Sequence, residues 1–206
     1  MTYQFLIDTY ATERVKTLSM WSMFRDEDME FRPDAADRRG RSVREQMVHQ
    51  CTSESLWFVR MFGIDAGDEP LPERETRLEF LKRYAADSRM RLEALASKDR
   101  AWWEESVSFF GEPRTRAWIM VRRIAHTAHH RGQQSALARM LERDLHSTYG
   151  PTADTGGLIQ KKAPTVYAYS DVEDLLSGEG AGGRKAPLPG VGKDPVTERP
   201  WLPFGL

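Results

Sequence analysis

The sequence predicts an all-α protein: a four-helix bundle followed by an extended Gly/Pro-rich tail. Three observations carry this expectation. Four long stretches place apolar residues at helical spacing, two of them open on a Ser/Thr-x-x-Glu capping signature, and the composition breaks near residue 149. From Gly150 onward the chain holds ten of its fifteen glycines and seven of its eleven prolines. Residues 1–149 are therefore expected to form the bundle. Residues 150–206 should form an irregular C-terminal extension packed on the bundle or on a partner subunit.

The first helix is predicted over about residues 3–24, with Phe5, Tyr10, Val15, Leu18, Trp21 and Met23 among its apolar positions. A polar loop, FRPDAADRRGR, follows. The second helix starts at Ser42, where Ser42 and Glu45 can satisfy free backbone N–H groups, and runs to about Phe62 with Gly63 fitting its end. Thr76 and Glu79 open the third helix, which reaches about Leu95. Residues 100–113 read as an irregular or short extended connection, and the fourth helix spans about 115–143. The connections are longer than simple up-down turns need, so the residues alone leave crossover topologies open.

Composition narrows the functional classes. The 206 residues are 30% charged with a net charge of −1, so there is no global basic field of the kind nucleic-acid binding uses. No apolar run approaches the ~20 residues of a membrane span. The N-terminus lacks a signal-peptide pattern, and the single cysteine, Cys51, rules out an internal disulfide; both point to a reducing cytoplasm.

Chemistry concentrates in RRIAHTAHHRGQQSALARML, residues 122–141, which carries three of the five histidines. His126 and His130 lie four apart, on one face of a helix, whereas His129 is turned about 100° away from His130. Two imidazoles so placed can chelate one divalent ion. The stripe Ile119, Arg123, His126, His130, Gln133, Leu137, Leu141 is apolar at its ends and polar in its middle, as expected of the inward face of a bundle. Such a pair also occurs as hydrogen-bonded core residues, and a third ligand elsewhere would turn the balance toward metal. His49, in the second helix, is the candidate. It would complete a three-imidazole set that leaves a position for water or substrate. Di-iron, HExxH, paired-cysteine, phosphate-loop and serine-hydrolase patterns are all missing.

RSVREQMVHQCTSESLW and RIAHTAHHRGQQ together resemble the DinB family, which includes YfiT-type proteins. The family pattern, a His in helix two followed by Glu and Trp, falls on His49, Glu54 and Trp57. The H-x-x-x-H of helix four, running into H-R-G-Q, falls on His126, His130, Arg131, Gly132 and Gln133. The resemblance covers about residues 1–145. It implies a four-helix bundle with crossover connections, one divalent metal on His49, His126 and His130, and a homodimer. Zinc or nickel are the favoured ions, and iron or copper also suit three imidazoles. Glu45, Gln133 and Trp57 are the further pocket candidates: Glu45 to orient His49, Gln133 to touch a metal-bound water or make a core hydrogen bond. His129 is expected at the surface or an interface and His146 in solvent, and Gly132 is expected where another helix approaches or at a kink.

The resemblance further implies a metal-dependent enzyme acting on a small molecule. A thiol-dependent S-transferase, with a low-molecular-weight thiol as co-substrate, is preferred to a hydrolase. The alternative is a non-catalytic, metal-braced dimer acting in stress response. No nucleic-acid or membrane partner is expected. Arg38, Arg39, Arg41 and Arg44 cluster at the start of helix two, either as a solvated basic loop or as a seat for a substrate carboxylate or phosphate. In the tail, TVYAY is expected to be extended and SDVEDLL to form one or two helical turns capped by Ser170 or Asp171. Tyr167, Tyr169 and Trp201 are the expected anchors.

Overall fold

The computed structural model describes residues 2–67 and 75–193. Four long helices form the bundle: α1 (Gln4–Ser22), α2 (Val43–Trp57), α3 (Arg77–Ala96) and, after a short α4 (Arg100–Glu104) and a hairpin, α5 (Arg116–Met140). Both capping boxes form: Ser42 Oγ accepts from Glu45 N–H and Thr76 Oγ1 from Glu79 N–H, while each Glu carboxylate accepts from the N–H of its cap residue. Each closes two of the N–H groups a helix start leaves open. At its far end α2 widens into a π-helical turn, Phe58–Phe62, and stops at Gly63, whose φ of 64° a side chain would resist. Residues 100–113, expected to be irregular or extended, instead begin with the helix α4 and continue into a hairpin. β1 (Ser106–Phe109) pairs antiparallel with β2 (Glu112–Thr115) in the register Phe109 opposite Glu112, and Phe110 and Gly111 both take positive φ in the tight turn.

α1 packs against α3 and α5, and α2 packs against α5. The chain therefore crosses over between α1 and α2 rather than turning straight back. The bundle has two apolar clusters. One surrounds Trp21, with Leu18, Met47, Phe80 and Tyr84; the other surrounds Phe58 and Trp103, with Leu6, Tyr10, Ile119 and Met120. Between them lies a polar layer. Glu54, 1% exposed, accepts from Tyr10 Oη at 2.6 Å and Tyr84 Oη at 3.1 Å, with Arg91 of α3 3.5 Å away. On the other side of α1, Arg131 of α5 pairs with Glu13 and meets Tyr149 Oη.

Residues 150–193 contain two 3₁₀ turns and one helix, α6 (Val172–Gly180), which lies on α1 and α3. Asp171 caps it, accepting from Asp174 N–H at 2.8 Å. Ala168, Tyr169, Val172 and Leu175 enter the Trp21 cluster. Tyr169 donates to buried Glu179 at 2.5 Å, and Arg77 of α3 reaches the same carboxylate at 2.6 Å. Tyr167 corrects the expectation, being 56% exposed, and Trp201 lies outside the described residues. His146 also corrects it: the ring is buried and its Nε2 donates to the Ala186 carbonyl at 2.7 Å, so it ties the segment after α5 to the tail. Gly132 has no neighbour within 4 Å of where a Cβ would stand and lies in an unbroken helix, so neither a close helix nor a kink accounts for it.

Candidate metal centre

Two hydrogen-bonded contacts set how α2 meets α5. Trp21 Nε1, buried in the centre, donates to Gln50 Oε1 of α2 and Gln134 Oε1 of α5, both at 3.2 Å. One turn toward the helix-two N-terminus, Gln46 Nε2 donates to Gln133 Oε1 at 2.8 Å. These bonds fix the register on either side of His49 and His130, which follow directly from the fold of the two helices.

The three imidazoles converge. One ring nitrogen from each of His49, His126 and His130 lies within 4.8 Å of the others, and no Cys, Asp or Glu of the described residues joins them at that distance. His126 and His130 present their Nε2 atoms to each other at 3.3 Å. Two nitrogens bound tetrahedrally at about 2.0–2.1 Å to one ion stand about 3.3–3.4 Å apart, so this pair has the separation a shared ion requires. The tautomer of His130 agrees. Its Nδ1 faces two amide oxygens, Gln46 Oε1 at 2.9 Å and Gln133 Oε1 at 3.2 Å; it must carry the proton and donate, which leaves the Nε2 lone pair toward the other rings. His126 Nδ1 is buried with no hydrogen-bond partner among the described residues.

The rings are poised as neutral donors. Burial holds His126 down at about 3 and His130 at about 4; the charge of buried Arg123 adds to the first and the neighbouring rings act on both. His49 is lowered for the same first reason, with Arg41 and Arg123 contributing. At neutral pH no proton competes for these nitrogens, which metal ligation requires. Arg123 is held beneath the site by Ser53 Oγ at 3.1 Å and Thr127 Oγ1 at 2.9 Å, with its guanidinium 5.3 Å over Trp57.

Trp57 forms one wall, its ring 5.6 Å from His126 and edge-on to Phe109 and Phe110 of the hairpin. Gln133 is exposed as a residue but its amide serves the interior: it bridges His130, Gln46 and, through Nε2 at 2.9 Å, His129. Glu45 sits apart. One oxygen caps α2 and the other takes Arg32 at 3.1 Å, so the bond expected toward His49 is not formed. The residue that sequence reasoning passed over is Gln46. It precedes His49 by three, which on a helix is the same face, and that spacing was the available signal.

Fold and site together define a four-helix bundle with a three-histidine cluster, able to hold a metal ion, between its second and fourth long helices. The chain belongs to the DinB superfamily, whose sequence profile matches residues 9–134. A solved structure of a DinB-like protein, YjoA from Bacillus subtilis, is similar in fold, with a TM-score of 0.54 and 15% identity, covering 68% of this chain and 94% of that one. No curated protein matches the chain. Among the described residues no helix is long and apolar enough to cross a membrane.

Proposed function

We propose that this protein is a divalent-metal-dependent enzyme acting on a small molecule, with His49, His126 and His130 as the three ligands. The observation that carries the reading is the meeting of their ring nitrogens within 4.8 Å, with the two Nε2 atoms of α5 at the spacing of a shared ion. An ion held there would supply Lewis acidity to a bound water or thiol. The chain's own residues do the rest. Gln46 and Gln133 orient His130, Arg123 adds to the burial that keeps His126 and His49 neutral, and Trp57, edge-on to Phe109 and Phe110, forms one wall. His49 and His126 are only half-buried, which favours an accessible reacting position over a purely structural brace.

Within this reading a thiol-dependent S-transferase is preferred to a hydrolase. The reason is the family resemblance together with the absence, among the described residues beside the rings, of a carboxylate to serve as general base. Zinc or nickel are the proposed ions. In the same proposal residues 1–149 carry the chemistry, residues 150–206 buttress the bundle, and the protein works as a cytoplasmic homodimer. Elemental analysis of tag-free protein tests the site: about one equivalent of metal is expected in wild type and none in His49→Ala or His126→Ala. Wild type that takes up no zinc or nickel on reconstitution would leave the histidines as core residues and remove the enzyme reading.

A further inference from the structure

The loop before α2 and the outer ends of the two glutamines enclose a cavity of about 200 Å³. It is lined by Pro33, Arg39, Gly40, Arg41 and Leu137 together with Gln46 and Gln133, the same amides that hold His130. The cavity therefore adjoins the three-histidine cluster through those two side chains.

The arginines around it differ in what they are free to do. Arg32 is engaged by the Gly40 carbonyl and Glu45, and Arg44 by Glu30 and the Glu75 carbonyl. Arg39 lies in a fork on Asp37, with bonds of 2.7–2.9 Å that match its charge. Arg41 has no hydrogen bond or ion pair among the described residues, and it lines the cavity. The nearby Glu45 carboxylate, which feels its charge, is already taken by Arg32 and the Ser42 N–H, so an exposed guanidinium with no ion pair of its own, at the mouth of a small cavity beside a candidate reaction centre, is matched by an anion.

We propose that this cavity is a carboxylate subsite, with Arg41 as the anchor for the acid group of a small substrate or thiol co-substrate whose reacting atom lies at the histidines. One unpaired guanidinium offers a single charge in a planar fork, which a carboxylate meets with two parallel bonds. A phosphate group, with about −1.5 to −2 charge, would be undermatched there. The amides of Gln46 and Gln133 each keep a second N–H beyond those already used. The site then has a polarity along α2: acid group at the Arg41 end, apolar part at the Trp57, Phe109 and Phe110 end, reacting atom between them. The placement of the reacting atom rests on the metal reading above; the anion subsite itself does not.

The test follows the Arg41 side chain directly. The Nε–Hε resonance, identified by its loss in Arg41→Gln, is monitored by ¹⁵N NMR while propionate is added to metal-free and zinc-loaded protein. A saturable shift of that resonance is expected in both. In parallel, cobalt-loaded protein is titrated with 3-mercaptopropionate and its neutral amide, reading the thiolate-to-cobalt absorbance. The acid is expected to bind at least about tenfold more tightly, the preference vanishing in Arg41→Gln and surviving in Arg38→Gln. An unmoved Arg41 resonance overturns the subsite even if cobalt loads. A shift with propionate but equal binding of both thiols overturns its role in holding a substrate. Failure to load cobalt, with the propionate shift intact, removes the metal reading and leaves the anion site standing.

Discussion

Gln46→Ala separates the ligating role proposed for His130 from the bond that aims its ring. The Nδ1–H of His130 donates to Gln46 Oε1 at 2.9 Å, with Gln133 Oε1 at 3.2 Å from the same nitrogen. Partners of this kind typically contribute about 10–100-fold to metal affinity, or about 1.4–2.8 kcal/mol. The shorter bond goes in Gln46→Ala, but Gln133 remains within reach, so the loss should fall near the lower figure, about tenfold. Gln46→Ala combined with Gln133→Ala leaves Nδ1–H without an acceptor, and the loss should approach about a hundredfold. Gln46→Glu keeps an acceptor and adds charge, which raises the basicity of the imidazole; its affinity should equal or exceed wild type. Competition of zinc between each variant and a chelator of known affinity gives all four constants, and circular dichroism verifies that the helices are intact. Equal affinity across the series would refute the argument that these amides hold His130 as a ligand. A full loss in Gln46→Ala alone would refute the share assigned to Gln133.

The remaining predictions concern stability. Glu54→Ala removes the carboxylate shared by Tyr10, Tyr84 and Arg91 in a layer 1% exposed, and should cost about 3–5 kcal/mol in urea unfolding; a loss under about 1 kcal/mol would mean that water replaces it. Gly178→Ala would drive a Cβ into the ring of Tyr169, and the overpacking should cost about 1–3 kcal/mol, lowering Tm; an unchanged Tm would mean that α6 is not fixed on the bundle. Acid should weaken the metal-free fold. His126 and His130 accept protons at about 3 and about 4 when folded but near 6.5 when unfolded, so between those values the unfolded chain binds more protons. The stability they contribute is complete above about 6.5 and is lost progressively as pH falls, toward about 4 for His130 and about 3 for His126. Denaturant midpoints across that window read the effect, and His126→Ala should flatten the slope.

What could be read from the sequence followed from short-range rules. The caps at Ser42 and Thr76, the helix stop at Gly63 and the i,i+4 pair His126 and His130 are each set within one or two turns of helix. The chain also showed the helical bundle, because apolar periodicity survives averaging over twenty residues. The hairpin at 106–115 was half visible: its Phe-Gly turn places a non-glycine residue, Phe110, at positive φ, which composition does not announce. His146 was misplaced because its partner, the Ala186 carbonyl, is 40 residues away and no local pattern encodes such a pairing. For Glu45 the capping role, legible in the Ser42-x-x-Glu45 pattern, is the one the structure shows, with Arg32 on its other oxygen. Gln46 was missed. A glutamine on a polar face is unremarkable until the facing helix brings His130 to it.

The polar middle of α5 explains why the histidines can share a point. Along that helix Arg123 bonds Ser53 of α2, Arg131 pairs with Glu13 of α1, Gln133 accepts from Gln46 of α2, and Gln134 accepts from Trp21 of α1. Apolar packing alone would stabilise the bundle at several neighbouring offsets, because dispersion is short-ranged but weakly directional. A buried hydrogen bond is not tolerant in this way: sliding α5 by one residue moves each donor about 1.5 Å along the axis and turns it about 100°, leaving buried groups unsatisfied at about 1–3 kcal/mol each. Two buried bonds to α1 and two part-buried ones to α2 therefore penalise other registers. The register they favour is the one in which the nitrogens of His126 and His130 stand 3.3 Å apart beside His49. The polar residues of α5 outside the histidine cluster thus act on the site through register, and changing any of them should disturb ligand geometry before it unfolds the bundle.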